Sequence, residues 1–191
     1  VMQLRSQLTL VTVIITMVLS FILLMMGYLK LEQVESFQAD SELRGKKILW
    51  NKIIASEQEK MEASSTSLSR DRDTRKALKK RDLDKLAESA LTTFNLLSAS
   101  QVLDRLQLTD TDGSVLFSAP QAYSGKSLAT ATYLALKDGK VHRSVDRSFD
   151  GKLISTVAFP LFMRGKPIGV GIYQLELARA ISDFKNNEGA D

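Results

Sequence analysis

Three times in the second half of the chain, two strand-like runs are joined by only a few turn-forming residues. Leu106–Thr109 and Val115–Ser118 flank Asp-Thr-Asp-Gly; Val141–Arg147 and Leu153–Phe162 flank a turn at Asp150-Gly151; and Leu153–Phe162 and Ile168–Leu177 flank Arg-Gly-Lys-Pro, Arg164 to Pro167. Links this short connect only antiparallel neighbours, because a parallel pair needs a crossover of a dozen residues or more. About five such strands are expected over 102–177. Everything before them reads as helix. The fold class is therefore α+β, with the helices covering one face of the sheet. The second face is left to the segment between Ala119 and Lys140, and a short helix is expected within it, around Tyr133 to Leu136.

The first half divides by charge. Ser6 to Leu29 holds no charged residue, and at 1.5 Å per residue it is long enough to cross a hydrocarbon layer of about 30 Å. Arg5 precedes it; Tyr28 and Lys30 sit where interfacial side chains belong, and Glu32 and Glu35 follow. The expected layout is a short cytoplasmic N-terminus (1–5), a transmembrane helix (6–29) and an extracytoplasmic domain (30–191). A retained anchor is favoured over a cleaved signal peptide, because the run is long for a signal core and no small-x-small site closes it. Past the span, Leu31, Val34, Phe37, Ile48, Ile53, Ile54, Met61 and Leu68 recur at near-helical spacing with no proline, so a long helix is read over 31–70, weakened at Gly45. Short helices follow over 71–98, with Asp71 and Asp73 placed to cap the first and Asp82 the second. A C-terminal helix is read over 177–185.

Composition removes most chemistry. Among 191 residues there is no cysteine and one histidine, so thiolate nucleophiles, disulfides and metal sites built on several imidazoles are excluded. No phosphate-cradling glycine loop, metalloprotease motif or nucleophile elbow occurs. No cofactor is expected, and the chain reads as a non-enzyme. Lys and Arg number 26 against 22 Asp and Glu, mostly interspersed, which argues for a solvated surface and against nucleic acid. Thr109 to Gly113 has the alternating aspartates of a calcium loop but lacks the later acidic ligand; it reads as a hairpin turn. The densest basic cluster, Arg75, Lys76, Lys79, Lys80 and Arg81, reads as the solvated face of a short helix.

What remains is recognition. Arg105 and Gln107 share a strand face, Arg143 lies on another strand, and Tyr123, Tyr133 and Tyr173 combine an aromatic body with a polar tip. These six form the candidate ligand-binding set: an arginine pairs bidentately with a carboxylate and tyrosine hydroxyls orient it.

LTDTDGSVLFS, then VAFPLFMRGKPIGVGIYQLEL, behind an anchor and a long helix, resembles the Cache-type extracytoplasmic sensor domains of bacteria. The Asp-x-Asp-Gly turn with its flanking strands looks like their first hairpin. The strand carrying Pro160 and the Ile-Gly-Val-Gly strand look like their last. The resemblance spans 31–191. It implies a PAS-like antiparallel sheet behind a long N-terminal helix, a pocket for a small molecule such as a carboxylate or amino acid on the opposite face, and a place outside the inner membrane, in the periplasm. It also implies a receptor context: a chemotaxis transducer first, a histidine kinase or diguanylate cyclase as the alternative. The tail DFKNNEGAD looks like the lead-in to a second such module. Homodimerisation through the long helix is expected, since its apolar stripe needs a partner. The rival reading is a membrane-anchored protein–protein interaction module with no small ligand.

Overall fold

The computed structural model describes residues 2–148, 150–178 and 182, with side chains described at 16–26 and from 44 onward within that range. The chain comprises two compact units, Val1–Trp50 and Asn51–Asp191. The first is helical throughout its described residues. The membrane span expected over 6–29 falls largely on residues whose side chains lie outside the described set; among the described residues no helix is long and apolar enough to cross a membrane. The C-terminal helix expected over 177–185 likewise lies largely outside the described residues.

Helix α1 is Met2–Arg70. Gly45, where weakening was expected, lies inside it without interrupting it, and a methyl there would meet nothing within 4 Å. In the second unit α1 is followed by α2 (Arg72–Lys80) and α3 (Leu83–Ala99). Each starts on an aspartate. Asp71 accepts the backbone N–H groups of Asp73 and Thr74, and Asp82 accepts that of Lys85. These bonds satisfy amides that have no partner inside the helix.

The sheet is antiparallel throughout, in the order β2-β1-β5-β4-β3. Its strands are β1 (Arg105–Thr109), β2 (Val115–Ala119), β3 (His142–Arg147), β4 (Leu153–Met163) and β5 (Lys166–Glu176), with α4 (Thr130–Asp138) between β2 and β3. The architecture is α+β and PAS-like. The first turn is an Asx turn: Asp110 Oδ1 accepts the N–H groups of Asp112 at 2.9 Å and Ser114 at 3.0 Å.

Alternation assigns the faces. Leu106 and Leu108 of β1, Val157, Phe159 and Leu161 of β4, and Tyr173 and Leu175 of β5 point to the helices. There they meet Met61 and Leu68 of α1, Ala77 and Leu78 of α2, and Leu86, Ala90, Phe94 and Leu97 of α3. The other face carries a thinner cluster, in which Ala131 and Ala135 of α4 lie on Ala158, Val170 and Ile172.

The helix-side core fits only because β5 carries two glycines there. A Cβ on Gly171 would stand 2.5 Å from the Phe159 ring, and one on Gly169 would stand 2.0 Å from the Thr109 carbonyl oxygen and 3.1 Å from Leu78. The Phe159 ring occupies the room Gly171 leaves and meets Tyr173 edge-on at 4.9 Å. Gly171→Ala is therefore expected to destabilise the fold by about 1–3 kcal/mol through overpacking. Gly169→Ala should cost more, because backbone is the obstacle. Urea unfolding of both variants measures the difference.

Candidate functional site

The sheet face away from the main helical core holds polar groups that a sheet floor does not need for stability. Gln107 of β1 and Gln174 of β5 are each 6% exposed. Arg105 pairs across the strands with Gln174, so Gln107 and Gln174 are diagonal neighbours on one face. Thr156 of β4 pairs with Gln174 and completes the patch. Its hydroxyl is buried with no hydrogen-bond partner among the described residues. Buried polar groups are normally satisfied, and each exception calls for an explanation.

Gln107 and Gln174 floor a crevice walled by Tyr123, Leu128, Asp146 and Ser148. Its volume is about 20 Å³. That admits a water molecule, which needs roughly 10–15 Å³, but not a metabolite, whose pockets run to about 300 Å³ or more. Leu128 and Ala129, just before α4, line its other side. Ala129, the N-cap residue of α4, offers no side-chain bond. Strand β3 supplies the cap instead: Asp146 Oδ1 accepts the Thr130 N–H at 3.2 Å and the Thr130 hydroxyl at 2.8 Å, and the Ala131 N–H donates to Ser144 Oγ at 3.3 Å. Ser144 Oγ in turn donates to Asp146 Oδ2.

The six sequence-derived residues separate here. Gln107 and Tyr123 line the crevice; Arg105 does not line it but bonds to Ser148 of its wall. The Arg105 guanidinium donates to Ser148 Oγ, to Asp150 Oδ2 at 2.7 Å and to Glu176 Oε1 at 3.2 Å. Lys152 reaches Glu176 at 3.0 Å. The fork expected to grip a ligand carboxylate thus grips two carboxylates of the chain itself and ties β1 and β5 to the β3–β4 turn. Tyr123 donates its hydroxyl to the Lys126 carbonyl at 3.0 Å.

The other three are elsewhere. Tyr133 lies on α4, 66% exposed, and is not in the crevice wall. Arg143 pairs with Val157, which places it on the helix-side face, where its Nε and Nη2 hold Glu62 of α1 at 2.8 and 2.7 Å. Tyr173 is fully buried on the helix-side face. Burial pushes its hydroxyl up to about 12, against the smaller lowering effect of Ser67 nearby. Its neighbour Gln174 is the β5 residue that faces the crevice. Strict alternation gives that signal, since Gly169, Gly171 and Tyr173 share one parity and Val170, Ile172 and Gln174 the other. Asp146, Ser148 and Thr156 carry no comparable mark in the sequence.

A larger hollow, about 790 Å³, opens between α2 and α3. Its charges alternate, and its most enclosed acid is already satisfied. Burial raises the Asp71 carboxyl, but bonds from Ser89, Thr74 and two backbone amides outweigh it and leave the group below the ordinary carboxylate value. Among the described residues no group of His, Asp and Glu could hold a metal ion.

A five-stranded antiparallel sheet in this order, packed on helices behind and roofed by a short helix in front, defines a Cache-type sensory domain. The chain belongs to the double Cache family dCache_3, described as the double sensory domain of two-component sensor kinases, whose sequence profile matches residues 44–191. Curated proteins give no match. Among solved structures, the E. coli DcuS sensor domain is similar at 19% identity and a TM-score of 0.57, covering 70% of this chain and 98% of that one. The extracellular domain of vpHK1S-Z8, described as a histidine kinase, is similar at 12% identity and a TM-score of 0.53, covering 70% and 55%. A domain of a sensory box/GGDEF family protein from Vibrio parahaemolyticus is similar at 12% identity and a TM-score of 0.50, covering 67% and 56%. This chain thus spans little more than half of the last two.

Two outcomes are expected. Asp146→Ala removes the cap of α4 and should cost about 0.5–2 kcal/mol, with amide exchange rising in 130–138 first. The second concerns pH. The hydrogen bond from Arg105 holds the Asp150 carboxyl below its ordinary value of 3.8. A depressed folded-state value means this contribution is complete above pH 3.8 and is lost as pH falls through the folded value. Melting temperature should therefore fall less steeply below pH 4 in Arg105→Gln, at a lower starting value, than in the parent.

Proposed function

We propose that this chain is the ligand-sensing part of a membrane-anchored bacterial receptor. The segment 6–29 anchors it in the inner membrane, the sheet domain lies in the periplasm, α1 mediates homodimerisation, and the domain performs no catalysis. The crevice over Gln107 and Gln174 takes a small polar molecule, with a carboxylate or an amino acid as the leading class. The observation that carries this reading is the pair of mostly buried glutamines lining the crevice, with the buried, unpartnered Thr156 hydroxyl on the same sheet face, beside a roof held by a few hydrogen bonds. A ligand that pairs with them gains contacts available only when the roof has moved. That differential affinity is what shifts a two-state equilibrium.

The family description and the kinship with vpHK1S-Z8 favour a histidine-kinase output over the chemotaxis transducer expected from sequence. A second reading, an anchored interaction module with no small ligand, draws on the small volume of the crevice and on the internal pairing of Arg105.

One experiment separates them. The 191-residue chain in detergent is melted against a panel of small carboxylates, amino acids and amines. A ligand at a hundred times its dissociation constant should stabilise by about 2.7 kcal/mol. Gln174→Leu should leave the unliganded melting temperature close to the parent's, because it replaces a mostly buried side chain by an apolar one of similar volume, and should abolish the ligand shift. A panel without effect on the parent chain would sink the sensing reading in favour of the interaction module.

A further inference from the structure

A second concavity lies at the far end of the β4–β5 hairpin. It is about 410 Å³ and is lined by Lys76, Lys79 and Lys80 of α2 with Met163 and Arg164 of the hairpin. That is within the size range of small-ligand pockets. It shares no residue with the crevice on the other sheet face. Among the described residues no carboxylate lines it. Lys79, Lys80 and Arg164 are exposed, and among the described residues none of them forms a salt bridge; Lys76 only reaches Asp73, at 4.0 Å. Asp73 and Asp82, the acids nearest Lys76 and Lys80, lie outside the lining, and four cations around one concavity repel one another unless an anion stands between them.

The two walls are fixed relative to each other. Arg75, on α2, donates to the carbonyls of Phe162 at 3.2 Å, Arg70 at 3.3 Å and Asp71 at 3.2 Å, bolting α2 to the end of β4. Leu78 seats α2 over Gly169. A site held this way spends little binding energy on ordering itself.

The turn residue adds a second, independent sign. Arg164 has φ 52° and Gly165 φ 74°, the pattern of a two-residue hairpin turn that suits Asn-Gly. The chain holds an arginine in a left-handed conformation where asparagine or glycine would sit with less strain. Such outliers persist where the side chain serves a purpose. Arg81, the other basic residue of this region in that conformation, is accounted for by its ion pair with Asp110 at 2.9 Å. Arg164 has no such pair among the described residues.

We infer that this pocket binds a phosphate group, free or as a lipid headgroup. A lone carboxylate offers one charge in one plane. A phosphate presents oxygens in several directions and up to two charges, which suits three lysine point charges and one arginine fork. Met163 supplies an apolar contact for whatever the phosphate is attached to.

The test titrates the full chain in nonionic detergent, at low salt, with inorganic pyrophosphate, and separately with micelles containing phosphatidic acid or phosphatidylcholine. Saturable binding of pyrophosphate or of phosphatidic acid is expected, weakened roughly tenfold by Lys79→Gln and by Arg164→Gly and unchanged by Lys85→Gln on α3. Binding of pyrophosphate marks a soluble phosphate; binding of phosphatidic acid alone marks a headgroup. Arg164→Gly relieves the turn, so its melting temperature holds or rises while binding falls, which separates lost recognition from lost folding. Absence of binding to both probes, or equal weakening by Lys85→Gln, overturns the assignment.

Discussion

Strand β5 pairs with β1 on one edge and β4 on the other, and no other strand joins the first hairpin to the rest of the sheet. Its two glycines let the helix layer come down onto the sheet: Gly171 makes room for the Phe159 ring, and Gly169 lets β5 pass beneath Leu78 and beside the Thr109 carbonyl. The same strand turns Val170, Ile172 and Gln174 to the opposite face. One alternating run therefore sets both the depth of the helical core and the floor of the crevice. An added methyl on the core side would be felt on the crevice side, because close-packed interiors transmit strain.

The two faces are built for different ends. The helix side is an ordinary apolar core, filled by leucine, phenylalanine and a buried tyrosine. The crevice side carries two mostly buried glutamines and the unpartnered Thr156 hydroxyl. The ionic knot of Arg105, Asp150, Glu176 and Lys152 stands at the seam between β1, β5 and the β3–β4 turn. It holds Ser148 in the crevice wall without itself lining the cavity.

What the sequence made legible was local. Tight turns between apolar runs gave the antiparallel sheet; Asp71 and Asp82 announced two helix starts; Asp110 and Gly113 announced an Asx turn. What it hid was distant pairing. Arg105 reads as a free guanidinium until β1 meets β5 and the β3–β4 turn, whose carboxylates are 45 and 71 residues away along the chain. Arg143 reads as a ligand-facing cation until register sets it on the helix side, beside Glu62. For Tyr173 the alternation is legible: parity counted from the Gly-Val-Gly run puts it in the core and Gln174 in the crevice.

The roof helix α4 borrows its N-terminal cap from the neighbouring strand, through Asp146 and Ser144. A helix capped by its own preceding residue moves as a unit with its cap intact. This one must break those bonds whenever it swings away from β3, so opening carries a fixed toll of about 1 kcal/mol per lost cap. On the sensing reading, that toll sits inside the apparent dissociation constant, since only the open fraction binds. The cap at Ser144 and Asp146 then acts as a dial for sensitivity: a stronger or weaker cap would slide the dose–response curve along the concentration axis.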